Sequence, residues 1–177
     1  MAFLFDSFEN WKAESISTSK TLVQLVMEYE LNIRPRSEKE VREGLAKAWA
    51  VMKDAVHTGL EKDMTSRSGM INNGAKKVYR YPKAVLSPEF QRLIARALAA
   101  KEVNSCMGRV VAAPTAGASG IMPGVLYTLQ EIHQIDDEMI IDAMLLAAGI
   151  ALIMEQKASI AGAVGGCQAE TGTAAAM

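Results

Sequence analysis

An all-α fold is what this sequence predicts: a single helical domain over residues 1–177, with glycine-rich loops between its helices. Three observations carry that reading. Apolar residues in the first half recur at steps of three and four, the period of a helix face. Serine caps, one with a proline in the first turn behind it, stand where helices would start. No run of alternating apolar and polar residues reads as a strand; Val110-Val111 is the one β-like patch, and it is too short for a sheet.

The first helix can be capped from Ser17 to Ser19, and its apolar face uses Leu22, Val23, Leu25, Val26 and Tyr29. Next, Ser37 and Glu40 have the spacing of a capping box, in which each side chain satisfies an amide that the first turn leaves unbonded. From there Val41, Leu45, Ala48, Met52 and Ala55 keep the helical step, and Gly59 stands where a left-handed C-terminal stop costs little. Ser87-Pro88-Glu89 supplies a cap, a proline at the start and an acid that the helix dipole favours. The buried face of that helix would use Phe90, Leu93, Ile94, Ala97 and Leu98. Beyond Arg109 charges become few, and glycines cluster around 116–124 and 161–172. Between those clusters Asp136 or Asp137 can cap a long helix that runs through Met154. Thr171 to Met177 is Gly-Ala-rich and reads as the start of another buried helix, so the sequence looks cut there.

A chain of this length can bury a sizeable core. Half its residues are apolar but only 6% are aromatic, so that core is built largely from small and flexible side chains. A formal net charge of -1 gives no electrostatic reason to expect nucleic acid or an anionic membrane as partner. Val110 to Gln130 is uncharged, yet Pro114, Gly117, Gly120, Pro123 and Gly124 interrupt it and exclude a spanning helix. Ala143 to Met154 is continuously apolar but falls short of the roughly 20 residues that a bilayer requires, and reads as a core helix. Met1 to Phe5 is too short for a secretion signal, and the two cysteines, Cys106 and Cys167, then read as reduced thiols in a cytoplasmic protein.

Three segments combine uncharged loops with isolated polar groups. Asp63 to Gly69 with Asn72-Asn73-Gly74 offers Thr65, Ser66, Arg67, Ser68 and small-residue amides that could bind a carboxylate; ordinary loop and cap chemistry uses the same residues. Glu102 to Gly120 includes Asn104, Thr115, Gly117, Ser119 and Gly120, where glycine lets backbone approach a ligand; a tight helix crossing would need the same small residues. Ser159 to Gly172 holds Cys167 among small residues, which by itself reads as an inert thiol. Glu170 three residues on argues otherwise, because a carboxylate buried in an apolar run needs polar partners or a metal.

The strings Glu102-Val103-Asn104, Met107-Gly108, Pro114-Thr115-Ala116-Gly117, Ala158-Ser159-Ile160 and Gly165-Gly166-Cys167-Gln168-Ala169-Glu170 occur in one order along the chain. In that order they resemble the α chain, or α domain, of the iron–sulfur-dependent L-serine dehydratases. Thr65 to Lys77 and the helix from Glu38 to Leu60 match more loosely, and the likeness covers most of the chain after Leu22.

The resemblance implies a helical domain holding a 4Fe-4S cluster on three cysteine thiolates, its fourth iron open to L-serine. A Lewis-acidic iron would stabilise the departing β-hydroxyl while a general base takes the α-proton, giving pyruvate and ammonia. No pyridoxal phosphate is implied. Residue by residue, Cys167 matches a cluster ligand. Asn104, Thr115, Gly117, Ser119 and Gly120 would line the pocket, and Thr65, Ser66 and Ser68 would meet the substrate carboxylate. Arg67 has no matching family position, and Cys106 stands where relatives often have alanine and is left out of the cluster.

The family's other two cluster cysteines lie in Val-Cys-Asp-Pro and Val-Pro-Cys contexts, and neither occurs here. The fragment alone is therefore expected to bind no cluster and to be inactive, with the segment after Ser159 mobile or repacked. His57 and His133 fall near helix ends and read as surface residues. The general base is then implied on a β chain or domain, which makes a β subunit the partner and the complete enzyme an oligomer. Two other readings stay open: a non-catalytic helical domain that packs against a partner, and a related cluster lyase acting on another hydroxy or amino acid.

Overall fold

The computed structural model of the protein describes residues 6–82 and 85–177. The reading of Met1 to Phe5 lies outside them. Among the described residues the elements are α1 (Phe8–Thr18), α2 (Leu22–Ile33), α3 (Glu38–Glu61), α4 (Gly74–Arg80), α5 (Pro88–Ser105), a 3-10 turn (Ala116–Ala118), α6 (Ile121–His133), α7 (Asp137–Lys157) and α8 (Gly162–Ala176). No strand accompanies them, only an isolated bridge between Thr65 and Asn72. The class is all-α. No described helix is long and apolar enough to cross a membrane.

Helix α1 precedes the first helix read from the sequence, and it corrects that helix's cap. Ser17 and Thr18 belong to the last turn of α1, where their hydroxyls donate to the Glu14 carbonyl at 3.1 and 2.7 Å. The cap of α2 is Thr21, whose Oγ1 accepts from the Gln24 amide at 3.1 Å while Gln24 Oε1 accepts from the Thr21 amide at 2.8 Å. At α3 the expected capping box is present: Glu40 accepts from the Ser37 amide at 2.8 Å and Ser37 Oγ from the Glu40 amide at 3.3 Å. Val41, Met52 and Ala55 are buried as the period requires.

Gly59 does not stop α3, which continues to Glu61. It is buried against the Ala99 backbone of α5, where a Cβ would overlap the carbonyl. Its smallness therefore serves a helix crossing rather than a left-handed turn. The same closeness corrects the buried face of α5. Phe90 and Leu98 are 50% and 36% exposed, whereas Ala95, Arg96, Ala99, Ala100, Glu102 and Val103 are buried. Gly59 of α3 and Gly124 of α6 press so near α5 that mostly small residues fit between, and the large ones turn outward.

Of the two possible caps for α7, Asp136 is the one used, accepting from the Met139 amide at 2.8 Å. Asp137 instead ties three helices together. Its Oδ1 accepts from Trp49 Nε1 at 3.0 Å, Gln130 Nε2 at 2.8 Å and Lys53 Nζ at 3.3 Å. Trp11, Leu25, Val26, Leu145 and Ile153 form one part of the core; Trp49, Met52, Met122, Leu126, Ile140 and Met144 form another. A third, of Ala55, Val56, Ala100 and Val103, lies between α3 and α5. The Thr171 to Met177 segment is the end of α8 rather than a helix start, and only its Thr173 and Ala174 are buried.

Candidate functional site

Three segments come to the end of α5. The first is the loop that leaves α3. Asn73 adopts the left-handed conformation (φ 55°), which asparagine tolerates better than most residues. It closes the loop from both ends of its own structure: Oδ1 accepts from the Met64 amide at 2.7 Å and the Asn73 amide donates to the Met64 carbonyl at 3.1 Å. Inside, Ser66 Oγ accepts from the Ile71 amide at 3.1 Å and lies 3.2 Å from Ser68 Oγ. Two hydroxyls that share one hydrogen bond leave the second O–H free to donate to an anion. Thr65 and Arg67 are exposed beside them.

The second segment is the turn before α6. Thr115 opens it, Asn104 Nδ2 donates to the Ala116 carbonyl at 2.9 Å, and Lys101 Nζ donates to the Gly117 carbonyl at 2.6 Å. Thr115 Oγ1 and Ser119 Oγ are shut off from solvent with no hydrogen-bond partner among the described residues. Buried hydroxyls left so are uncommon, and they mark a place where a ligand or water is expected. Gly117 and Gly120 share a cavity of about 300 Å³ with Lys101 of α5 and Thr171 of α8, its other wall formed by Leu93, Ile94, Ala97 and Leu98. Gly120 is also pressed on the Ala97 carbonyl, so packing alone requires a glycine there.

The third segment is α8, which packs on that turn. Gly166 breaks the helix at φ 78° and ψ 171°, a conformation that a residue with a Cβ rarely adopts. Cys167 follows and is exposed; Cys106, at the C-terminal cap of α5, is half-buried. Glu170 is half-buried rather than enclosed, and its carboxylate lies against the backbone of Gly117 and Gly162. That contact is steric: among the described residues no hydrogen bond or ion pair holds the Glu170 carboxylate, so they supply it neither polar partners nor a group that could hold a metal with it.

The structure brings Gly117, Gly120 and the Cys167 helix together, and it hangs Asn104 and the Thr115–Ser119 turn on the same end of α5. Two groups that the sequence reading assigned no role, Lys101 and Glu102, do much of the holding. Their signal was a charged pair inside the apolar helix from Ala95 to Val103, visible only once the buried face is known.

For a metal cluster the fit is partial. An exposed thiol on a glycine-broken helix suits one ligand. The sequence contains two cysteines, and no group of three or more His, Cys, Asp or Glu among the described residues could hold a metal ion. Two cysteines fall short of the three thiolates that the resemblance implies.

Comparison with known proteins agrees with the motifs. Residues 17–177 match the family model described as serine dehydratase alpha chain. The L-serine dehydratase alpha chain of Peptoniphilus asaccharolyticus is 36% identical over 159 residues, which is 88% of this chain and 54% of that protein. The probable L-serine dehydratase alpha chain of Bacillus subtilis is 33% identical over 151 residues, 84% of this chain and 50% of that one. The L-serine dehydratase TdcG of Escherichia coli is 36% identical over 165 residues, 86% of this chain and 35% of that one. The chain spans about half the length of the two alpha chains it matches. A family match that runs through the hydroxyl loop, the Thr115–Ser119 turn and the Cys167 helix alike places this chain in the serine dehydratase alpha chain family.

Proposed function

We propose that the complete protein to which this chain contributes converts L-serine to pyruvate and ammonia, by iron-assisted dehydration at a 4Fe-4S cluster with Cys167 as one ligand. The observation that carries the reading is the family match over 17–177, which includes an exposed Cys167 three residues before the Glu170 that lies against Gly117. When bound, such a cluster supplies a Lewis-acidic iron for the departing β-hydroxyl.

The chain's own residues bind and orient. The Ser66–Ser68 pair and Thr65 donate hydroxyls to the substrate carboxylate. Thr115 and Ser119, whose buried hydroxyls lack partners, take the polar groups of L-serine. The α-proton goes to a base supplied by a β subunit, since this chain's histidines lie elsewhere: His57 near the end of α3 against Tyr127, and His133 at the end of α6. Loss of the proton and the hydroxyl leaves aminoacrylate, which tautomerises and hydrolyses. The oligomer would act in the cytoplasm and without pyridoxal phosphate.

The test is to assemble the full-length chain with its β partner without oxygen and to assay pyruvate from L-serine, D-serine and L-threonine. Pyruvate from L-serine is expected; none would defeat the reading. Cys167→Ser in that assembly should lower bound iron and its visible absorbance, and unchanged absorbance would remove Cys167 from the ligand set. The 177-residue chain alone, reconstituted with iron and sulfide, is expected to retain no cluster and form no pyruvate.

A further inference from the structure

Glu102 is 4% exposed, on a helix that buries mostly alanine and valine around it. A buried carboxylate is costly unless its hydrogen bonds outweigh the lost hydration. Here Oε1 accepts two successive amides from a distant segment, Gly74 at 2.7 Å and Ala75 at 3.2 Å, while Oε2 is buried with no hydrogen-bond partner among the described residues. A Cβ at position 74 would stand 2.8 Å from that oxygen, so the contact also calls for glycine there. The residue before is Asn73, which holds Met64 by the two hydrogen bonds already described. A short run of hydrogen bonds therefore leads from Glu102 to the base of the loop that carries Thr65, Ser66 and Ser68. Asn104 and Lys101, within the same two turns of α5, hold the Ala116 and Gly117 carbonyls.

We propose that Glu102 is a positioning residue for L-serine: its buried carboxylate docks the hydroxyl loop onto the helix end that also holds the Thr115–Ser119 turn, and so sets the distance between the two. The inference rests on the dehydratase reading and adds a residue that touches no substrate.

Glu102→Ala and Glu102→Gln in the complete enzyme test it. Glutamine keeps a carbonyl oxygen for the Gly74 and Ala75 amides; alanine does not. Glu102→Ala is expected to raise KM for L-serine by on the order of tenfold with kcat changed less than about twofold, and Glu102→Gln to restore most of it. Amide hydrogen exchange in peptides covering 62–76 should quicken in the alanine variant and stay near wild type in the glutamine variant. Exchange that does not change in Glu102→Ala, or a glutamine variant as impaired as alanine, would overturn the proposal, as would a loosened loop with KM unmoved. If the unmutated enzyme makes no pyruvate from L-serine, the dehydratase reading fails instead, and exchange alone then decides whether Glu102 anchors the loop.

Discussion

A methyl group at position 117 would enter the space that the Glu170 carboxylate fills, because both of its oxygens lie against the glycine. Those oxygens are the far end of a flexible, half-buried side chain that can swing aside, so Gly117→Ala is expected to cost less than about 1 kcal/mol, read by urea denaturation. Adding Glu170→Ala should return part of that loss, and strict additivity of the two changes would rule out the contact. The sequence marked Gly117 as a site residue and Glu170 as a carboxylate in need of partners. It could not pair them, since they lie 53 positions apart and the chain between decides whether they meet. Ser66 and Ser68 were legible for the opposite reason: two positions apart in one loop, they were already neighbours.

Two glycines in α3 separate helix propensity from packing. A Cβ at Gly44 would meet nothing within 4 Å, and Gly44→Ala should stabilise the protein by roughly 1 kcal/mol, the ordinary gain in a helix interior. Gly59 lies in the same helix, but its Cβ would overlap the Ala99 backbone. Gly59→Ala should reverse the sign and cost about 1–3 kcal/mol, as α3 and α5 are forced apart. Thermal unfolding of the two variants checks both; a stabilising Gly59→Ala would mean that the crossing is looser than it stands here. Helix starts were largely legible, as at Ser37, Ser87 and Asp136, because a cap bonds an amide only three residues away. The face that α5 buries was not, because it depends on how near its neighbours come.

Several carboxylates tie the molecule together, and their titration sets its acid limit. The Arg96 hydrogen bond beside Glu131 holds that carboxyl below its usual range, with the Arg92 charge acting the same way. The Gln130 hydrogen bond, then those from Trp49 and Lys53, do the same for Asp137. A folded pKa below the unfolded one contributes stability that is complete above the ordinary carboxylate range and is lost as pH falls through the folded value. The melting temperature should thus hold near neutrality and fall below about pH 4. Glu131→Gln should flatten that acid limb, and a superimposable pH profile would show that the Arg96 pair adds nothing. Burial is uneven as well. Helix α8 buries only Thr173 and Ala174, whereas α3 buries Val41, Trp49, Met52, Ala55, Val56 and Gly59. Amides of 162–172 are expected to exchange faster than those of 45–58, and equal protection would contradict a loosely held Cys167 helix.

The all-α class, the caps at Ser37 and Ser87 and the family follow from the chain alone, because they rest on contacts within a few residues or on the order of short motifs. Tertiary structure decided the rest. Asp136 caps while Asp137 cross-links, Gly59 packs rather than stops, and Glu102 reaches 28 residues back to the loop it holds. Each of those roles needs a neighbour that is distant in sequence, and only the packed helices say which neighbour arrives.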